Sequence, residues 1–116
     1  MSTESIIKQK SLLFAQRIVQ MYRYLVKEHR ETVLSKQILR SGTSIGANVA
    51  EAIYGSSRKD FVAKLQIARK EAAETAYWLE LLYKSSFLTK DQYSSMQNDC
   101  RELMAMLSSS IKNCEE

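Results

Sequence analysis

The segment from Ser35 to Ala52, SKQILRSGTSIGANVAEA, constrains the fold most, because it combines an apolar heptad with many small residues. Ile38, Ile45 and Ala52 recur every seven residues, and Val49 extends the same face. Small residues surround this face: Ser41, Gly42, Thr43, Ser44, Gly46, Ala47 and Ala50. They lower helix propensity but let neighbouring backbones approach closely. The segment therefore predicts a helix that is packed at the centre of the fold.

Three longer polar residues, Arg40, Asn48 and Glu51, lie within this segment. Asn48 and Glu51 are three residues apart and share a helix face, and Arg40 lies near that face two turns earlier. Buried polar groups need hydrogen-bond partners. The pattern favours a buried or interfacial hydrogen-bonded network over the alternative, a ligand site.

The composition predicts one all-α domain spanning residues 1–116. Proline is absent and glycine occurs only three times, whereas a chain of short strands would need many turns. No apolar run approaches the roughly 18 residues of a membrane span, and the N-terminus lacks the apolar core of a signal peptide. These features predict a cytoplasmic protein with no membrane partner.

Apolar periodicity and capping signals place the helix boundaries. Two helix starts are predicted by capping residues, Ser57 with Asp60 and Thr89 with Gln92, and one helix end is predicted by Gly55. Four helices are predicted, at about residues 3–29, 33–54, 58–86 and 90–112. With such short links they can pack only as antiparallel neighbours, so the sequence predicts an up-down-up-down four-helix bundle.

The first helix has more apolar stripes than one core needs, namely Ile7–Phe14–Met21, Ile18–Leu25 and Leu12–Val19–Val26. Deep burial would explain this, and so would contact with another subunit. Trp78 shares a register with Lys64 and Glu71, which indicates either a subunit contact or a ring lying along its own bundle. The candidate subunit-interface residues are Phe14, Met21, Tyr22 and Trp78.

The net charge of +4 comes from the first half of the chain, where residues 1–60 contain ten Lys/Arg and five Asp/Glu. This bias is compatible with nucleic-acid binding and also with an ordinary solvated surface. If nucleic acid binds, we expect contacts to phosphates that do not read bases. The candidate residues for these contacts are Arg17, Arg23, Arg30, Arg58 and Lys59.

The residue types needed for catalysis or metal binding do not occur in suitable patterns. A di-iron bundle site needs a Glu-x-x-His motif on each of two helices, and His29 is the single histidine. Gly42–Gly46 lacks the Lys-Ser/Thr of a phosphate loop. Cys100 and Cys114 are 14 residues apart, about 21 Å along one helix and beyond disulfide reach. We therefore expect no enzyme activity, cofactor or metal.

The segment LRSGTSIGANVAEA, residues 39–52, closely resembles the signature of the 23S ribosomal RNA intervening-sequence proteins. In that bacterial four-helix-bundle family the segment reads like LRRAAVSIPSNIAEG. The similarity extends from about Ser5 to Lys112 and includes SRKDF at 57–61, LQIAR at 65–69 and FLT at 87–89. Gly46 stands where many relatives have proline, so the helix kink expected there is softer.

The resemblance implies a homopentamer, and a likeness to the pentameric accessory protein of diversity-generating retroelements, which binds a reverse transcriptase and nucleic acid. The motif positions that it carries over are Arg40, Ser44, Asn48, Glu51, Arg58, Asp60 and Phe61. The leading hypothesis is a non-enzymatic, self-assembling scaffold or accessory factor that binds RNA or a nucleic-acid-handling enzyme. The alternative is a pure protein-interaction module without a nucleic-acid role.

Overall fold

A computed structural model describes residues 2–115, which form four α-helices and no β-strand. The helices are α1 (Thr3–His29), α2 (Leu34–Ile53), α3 (Arg58–Lys84) and α4 (Lys90–Glu115). The last helix extends to Glu115, beyond the expected end near residue 112, and α3 stops two residues before the expected end at 86. The all-α class expected from the composition is confirmed.

The helices contact one another around a closed ring. The first helix touches α2 and α4, and α3 also touches α2 and α4, whereas the described parts of diagonal pairs make no close backbone contact. The described chain measures 44 × 22 × 21 Å, and the long dimension matches the roughly 40 Å expected of a 27-residue helix. Each helix therefore has one side toward a shared core and one side away from it.

The core is built from heptad stripes. On α3 the stripe that the three-four spacing predicts is buried at six positions: Leu65, Ala68, Ala72, Thr75, Leu79 and Leu82. The α1 stripe is also buried at six positions: Ile7, Ser11, Phe14, Ile18, Met21 and Leu25. Both helices thus present one inward seam of alternating three- and four-residue steps.

Side-chain hydrogen bonds cap the N-termini of α3 and α4, as the sequence predicts. The Ser57 hydroxyl accepts from the Asp60 N–H, although the Asp60 carboxylate accepts from Ser56 and not from the Ser57 backbone. Thr89 and Gln92 form a complete capping box, with bonds of 2.8 and 3.1 Å. These contacts explain why α3 and α4 start where they do.

The link between α1 and α2 has a cap of a different kind. Arg30 takes the left-handed conformation, with φ 52°, and ends α1. Val33 gives α2 no side-chain cap, but the Glu31 carboxylate accepts the N–H groups of Val33, Leu34 and Ser35 at 2.7–2.9 Å. Partial burial opposes ionisation of Glu31, but the N–H donors outweigh it and lower its pKa.

We expect Glu31→Gln to destabilise the protein by about 1 kcal/mol at pH 7, because the carboxylate replaces a missing N-cap. A lowered native pKa stabilises the fold above the unfolded-state pKa of about 4.3, and this contribution disappears as pH falls through the native value. Urea unfolding of both proteins at pH 7 and at pH 3 should show a difference that shrinks on acidification. Glu28→Gln is the control, with an expected change below about 0.5 kcal/mol. A pH-independent difference would contradict the assignment.

Candidate functional site

The small residues of α2 bring its backbone against α1. A Cβ atom added at Gly42 would lie 2.7 Å from Cγ1 of Ile18, and one at Gly46 would lie 3.3 Å from the Ser11 carbonyl oxygen. A side chain at Gly42 would require Ile18 to shift, and one at Gly46 would press on the α1 backbone at Ser11. The segment that dominates the sequence is thus a packing surface, and its glycines face α1.

A second contact of this segment is polar and faces α3. The hydroxyls of Ser41 and Thr75 lie 2.9 Å apart and are buried, and the Thr75 oxygen also lies 2.8 Å from the Glu71 carbonyl oxygen. Both hydroxyls are therefore satisfied inside the core. This pair was not predicted from the sequence, although each hydroxyl occupies a core position of its helix.

Arg40 joins α2 to α3 on the outside of the subunit. Its guanidinium pairs with Glu71 at 3.3 Å and with Glu74, whose carboxylate also accepts from Nε1 of Trp78 at 2.9 Å. The side chain of Arg40 is 50% exposed, so these pairs are surface interactions with modest energies. Trp78 is half-buried and packs along its own bundle.

The other motif residues do not share a network with Arg40 within the subunit. Ser44 bonds back to the Arg40 carbonyl at 2.7 Å, and Asn48 donates to the Ser44 carbonyl at 2.8 Å. Glu51 is exposed and lies 3.6 Å from Lys64. Within the subunit, these side chains bond to their own helix or to separate partners on α3, so no single buried network forms there, and the interfacial form of the predicted network stays a prediction.

Two of the four predicted interface residues belong to the subunit core. Phe14 is 1% exposed and Met21 is 8% exposed, so neither presents a surface to another chain. That part of the prediction is wrong, because the stripe that contains them is the one that α1 turns inward. Tyr22 is half-buried, on the flank of this stripe.

The exposed apolar residues of α1 lie elsewhere. Leu12 is 62% exposed and Leu13 is 55% exposed. Leu12, Ala15 and Val19 line a shallow groove of about 370 Å³ with the more polar Gln16, Gln20 and Arg23. The third stripe predicted for α1 therefore borders an open groove, and these residues replace Phe14 and Met21 as candidates for a subunit contact.

The candidate phosphate-binding residues do not form one patch. The guanidinium of Arg17 forms an ion pair with the Asp99 carboxylate at 2.5 Å and donates a hydrogen bond to the Ser95 hydroxyl at 2.8 Å. Within residues 2–115, the other four candidates are exposed and make no ion pair: Arg23, Arg30, Arg58 and Lys59.

These four cations lie at opposite ends of the molecule. The end of α1 is beside the link from α3 to α4, since the rings of His29 and Phe87 are 5.4 Å apart. The start of α3 is beside the start of α1, since Phe61 and Ile7 line one cavity. About 40 Å of α3 separates the two ends.

The nucleophilic and metal-ligating side chains serve packing. Cys100 is buried with its Sγ 3.2 Å from the Ala72 carbonyl oxygen, and burial raises the pKa of this thiol to about 12. His29 lies 3.2 Å from the Tyr24 hydroxyl through Nε2. Over residues 2–115, no three His, Cys, Asp or Glu side chains gather closely enough to hold a metal ion.

None of the described helices has the length and apolarity required to span a membrane. The helices and their contacts define a small all-α protein of four helices, in which the polar residues described above make caps, core hydrogen bonds and surface ion pairs. Nothing in the described part points to catalysis.

A family model described as "23S rRNA-intervening sequence protein" matches residues 3–109, and the chain belongs to this family. A crystal structure of a protein with unknown function from the S23 ribosomal protein family of Bacteroides thetaiotaomicron VPI-5482 is also similar. The two sequences are 55% identical, and the match covers 96% of this chain and 99% of that chain, with a TM-score of 0.94. The comparison with curated proteins gives no match.

We expect Gly42→Ala to destabilise the protein by about 1 kcal/mol, because overpacking costs about 1–3 kcal/mol and the better helix propensity of alanine offsets about 1 kcal/mol of it. The added methyl would meet three side-chain atoms of Ile18 at 2.7–2.9 Å. Chemical denaturation should show this loss, and Ile18→Val in the same chain should recover part of it. Equal or greater stability of Gly42→Ala alone would contradict the close contact.

Proposed function

We propose that this protein is a non-enzymatic, self-assembling bundle that acts in the cytoplasm as a scaffold or accessory factor for RNA or a nucleic-acid-handling enzyme. Membership of a family described by 23S rRNA intervening sequences supports the connection with RNA. The non-enzymatic part of the proposal rests on the polar side chains of the described residues, which are used in caps, core hydrogen bonds and surface ion pairs. The exposed surface of α1 and the exposed cations of α1 and α3 carry the rest of the proposal.

The subunit is proposed to be an up-down-up-down antiparallel bundle. Between α1 and α4, Lys10 pairs with Glu102 and Arg17 pairs with Asp99, so residue numbers rise on one helix as they fall on the other. The other three neighbouring pairs of helices are also antiparallel by this criterion. The contacts that show it are Ser11–Gly46 and Ile18–Gly42 between α1 and α2, Arg40–Glu74 and Glu51–Lys64 between α2 and α3, and Ala72–Cys100 and Tyr83–Tyr93 between α3 and α4.

Self-assembly rests on one observation, the apolar stripe of α1 that lies outside the core. Leu12, Ala15 and Val19 follow the three-four spacing of a coiled-coil seam, one position after the stripe that fills the core. A second copy of this chain would cover that stripe, which is the apolar part of the 370 Å³ groove. The homopentamer implied by the family resemblance is the assembly that we propose.

Light scattering after gel filtration should give a mass near five times the 13.3 kDa subunit. The double variant Leu12→Gln/Val19→Gln should shift toward the monomer, because it places amides where an apolar seam would be desolvated. Circular dichroism should confirm that the variant remains helical.

The matched control is Ile67→Gln, which removes an exposed apolar side chain from α3 and should leave the mass unchanged. A monomeric parent protein at micromolar concentration would refute self-assembly. An oligomeric double variant would refute the α1 stripe as its interface.

For nucleic acid, we propose salt-dependent contacts to phosphates. Arg23 and Arg30 at one end of the molecule and Arg58 and Lys59 at the other are exposed. Arg17 is a weaker candidate than the sequence indicated, because Asp99 already balances its charge. Assembly would multiply these separated patches and so raise the avidity for a long polyanion.

Titration of a labelled structured RNA at several salt concentrations should give an affinity that falls as salt rises. We expect Arg23→Gln/Arg30→Gln to reduce the slope of log affinity against log salt by about 0.7–0.9 per lost contact. Lys84→Gln is the control, because Glu80 lies 3.2 Å from that ammonium group.

Absence of binding at low salt, or binding indifferent to salt, would refute the nucleic-acid role. Recovery of a protein partner from native extract after nuclease treatment, together with no RNA binding, would establish the alternative of a protein-interaction module.

A further inference from the structure

We infer that the cleft between α1 and α4 binds an unpaired nucleobase of single-stranded RNA. This inference rests on the proposed RNA contact and narrows it to a strand whose bases are accessible. The cleft has a volume of about 190 Å³ and is lined by seven residues: Arg17, Gln20, Met21, Tyr24, Leu88, Gln92 and Met96.

The floor of the cleft is apolar and well ordered by packing. Met21, Leu88 and Met96 are buried members of the core that border the cleft. Thioethers make favourable contacts with aromatic rings and adapt to irregular shapes. The exposed edges of these three residues are the apolar contacts that a flat heteroaromatic ring in the cleft would make, and the partly exposed aromatic rings beside the cleft supply the larger stacking surface.

Polar groups at the cleft match the edge of a base. Gln20 and Gln92 contribute carboxamides, which offer both donors and acceptors, as a base edge does. The Gln92 oxygen accepts from the Thr89 N–H at 2.8 Å, so the capping box fixes the position of this amide. None of the seven lining residues is a carboxylate that would repel a nucleotide.

The size of the cleft favours one base over a larger ligand. Sites for drug-sized molecules usually measure about 300–1,000 Å³, which is larger than this cleft. A base within a duplex is stacked on both sides and cannot enter it. Recognition of a splayed base is the usual route to binding of single-stranded RNA.

An aromatic cluster extends from the cleft at its Tyr24 end. The Tyr24 and His29 rings meet edge to face at 5.4 Å, and the His29 and Phe87 rings do the same at 5.4 Å. His29 is exposed, and Tyr24 and Phe87 are half-buried. Aromatic side chains of this kind stack against bases without demanding a sequence.

Cations lie beside the cluster where a backbone would run. Lys27 follows Tyr24 by three residues, so both project from one side of α1, while Arg23 directly precedes Tyr24 and Arg30 caps the end of the helix. Within residues 2–115 none of these three is in an ion pair. Glu28 is the acidic residue on this turn, and the three cations outnumber it.

The test is a titration of the assembled protein with a short single-stranded RNA that contains 2-aminopurine, whose fluorescence falls on stacking, and with the same sequence as a duplex. We expect the protein to quench the 2-aminopurine fluorescence of the single strand. We also expect the single strand to bind about tenfold more tightly than the duplex. Tyr24→Leu should weaken single-strand binding about tenfold and leave duplex binding within about twofold.

A second variant, Gln92→Glu, is expected to retain the fold. Gln92→Glu retains a capping-box residue at a helix N-terminus, where a carboxylate is favourable, but places a negative charge at the cleft. We expect at least a fivefold loss of single-strand affinity. The controls are Asn98→Asp, the same amide-to-carboxylate change at an exposed α4 position, and Tyr77→Leu, which removes an exposed tyrosine of α3.

The outcomes separate the two proposals. Failure to bind any RNA would overturn both the proposed function and this inference. Salt-dependent RNA binding with equal affinity for duplex and single strand, or with Tyr24→Leu and Gln92→Glu matching their controls, would overturn the cleft alone.

Discussion

The contact of α1 with the glycines of α2 is the interaction on which the rest of the structure depends. Ile18 occupies the space that a side chain at Gly42 would need, and the Ser11 backbone lies against Gly46. This approach sets the rotation of α1 about its own axis. Once Ile18 faces α2, the stripe containing Phe14 and Met21 must enter the core, and Leu12 must remain outside.

A second set of constraints fixes α3 between its neighbours. Thr75 bonds to Ser41 of α2, while the Ala72 and Ala76 carbonyl oxygens accept from Cys100 and Gln97 of α4. These carbonyls are reachable because alanine leaves the α3 backbone uncovered. The Gln97 oxygen is buried without a partner, which places a desolvation cost at the same contact. Helix α3 is therefore positioned by polar groups as well as by its apolar seam.

The functional proposals all involve α1, and the geometry explains why. Its inward stripe is used by the core, while Leu12 borders the groove and Tyr24 borders the cleft, and Gln20 lies between the two and lines both. A helix in a four-membered ring has two neighbours and an open outer side, so α1 can serve assembly and ligand contact on different flanks. The chain belongs to the 23S rRNA-intervening sequence protein family, and the RNA role of these surfaces is a proposal.

Local signals determined much of this protein without tertiary information. The three-four spacing from Leu65 to Leu82, the Thr89–Gln92 capping box and the absence of proline depend on neighbouring residues alone, so they could be read correctly. The density of small residues in Ser35–Ala52 also indicated close packing, although not that α1 would meet the glycines.

Tertiary structure decided which surface each residue occupies. Three adjacent stripes of α1 are apolar, so periodicity could not distinguish Phe14 from Leu12, and the packing of α1 against α2 and α4 selects the inward one. Arg23 and Arg58 are both exposed cations in the sequence half that carries the basic excess, but the helical path places them near opposite ends. Composition records how many charges and apolar groups a chain has; the packing of one helix against another determines where they lie.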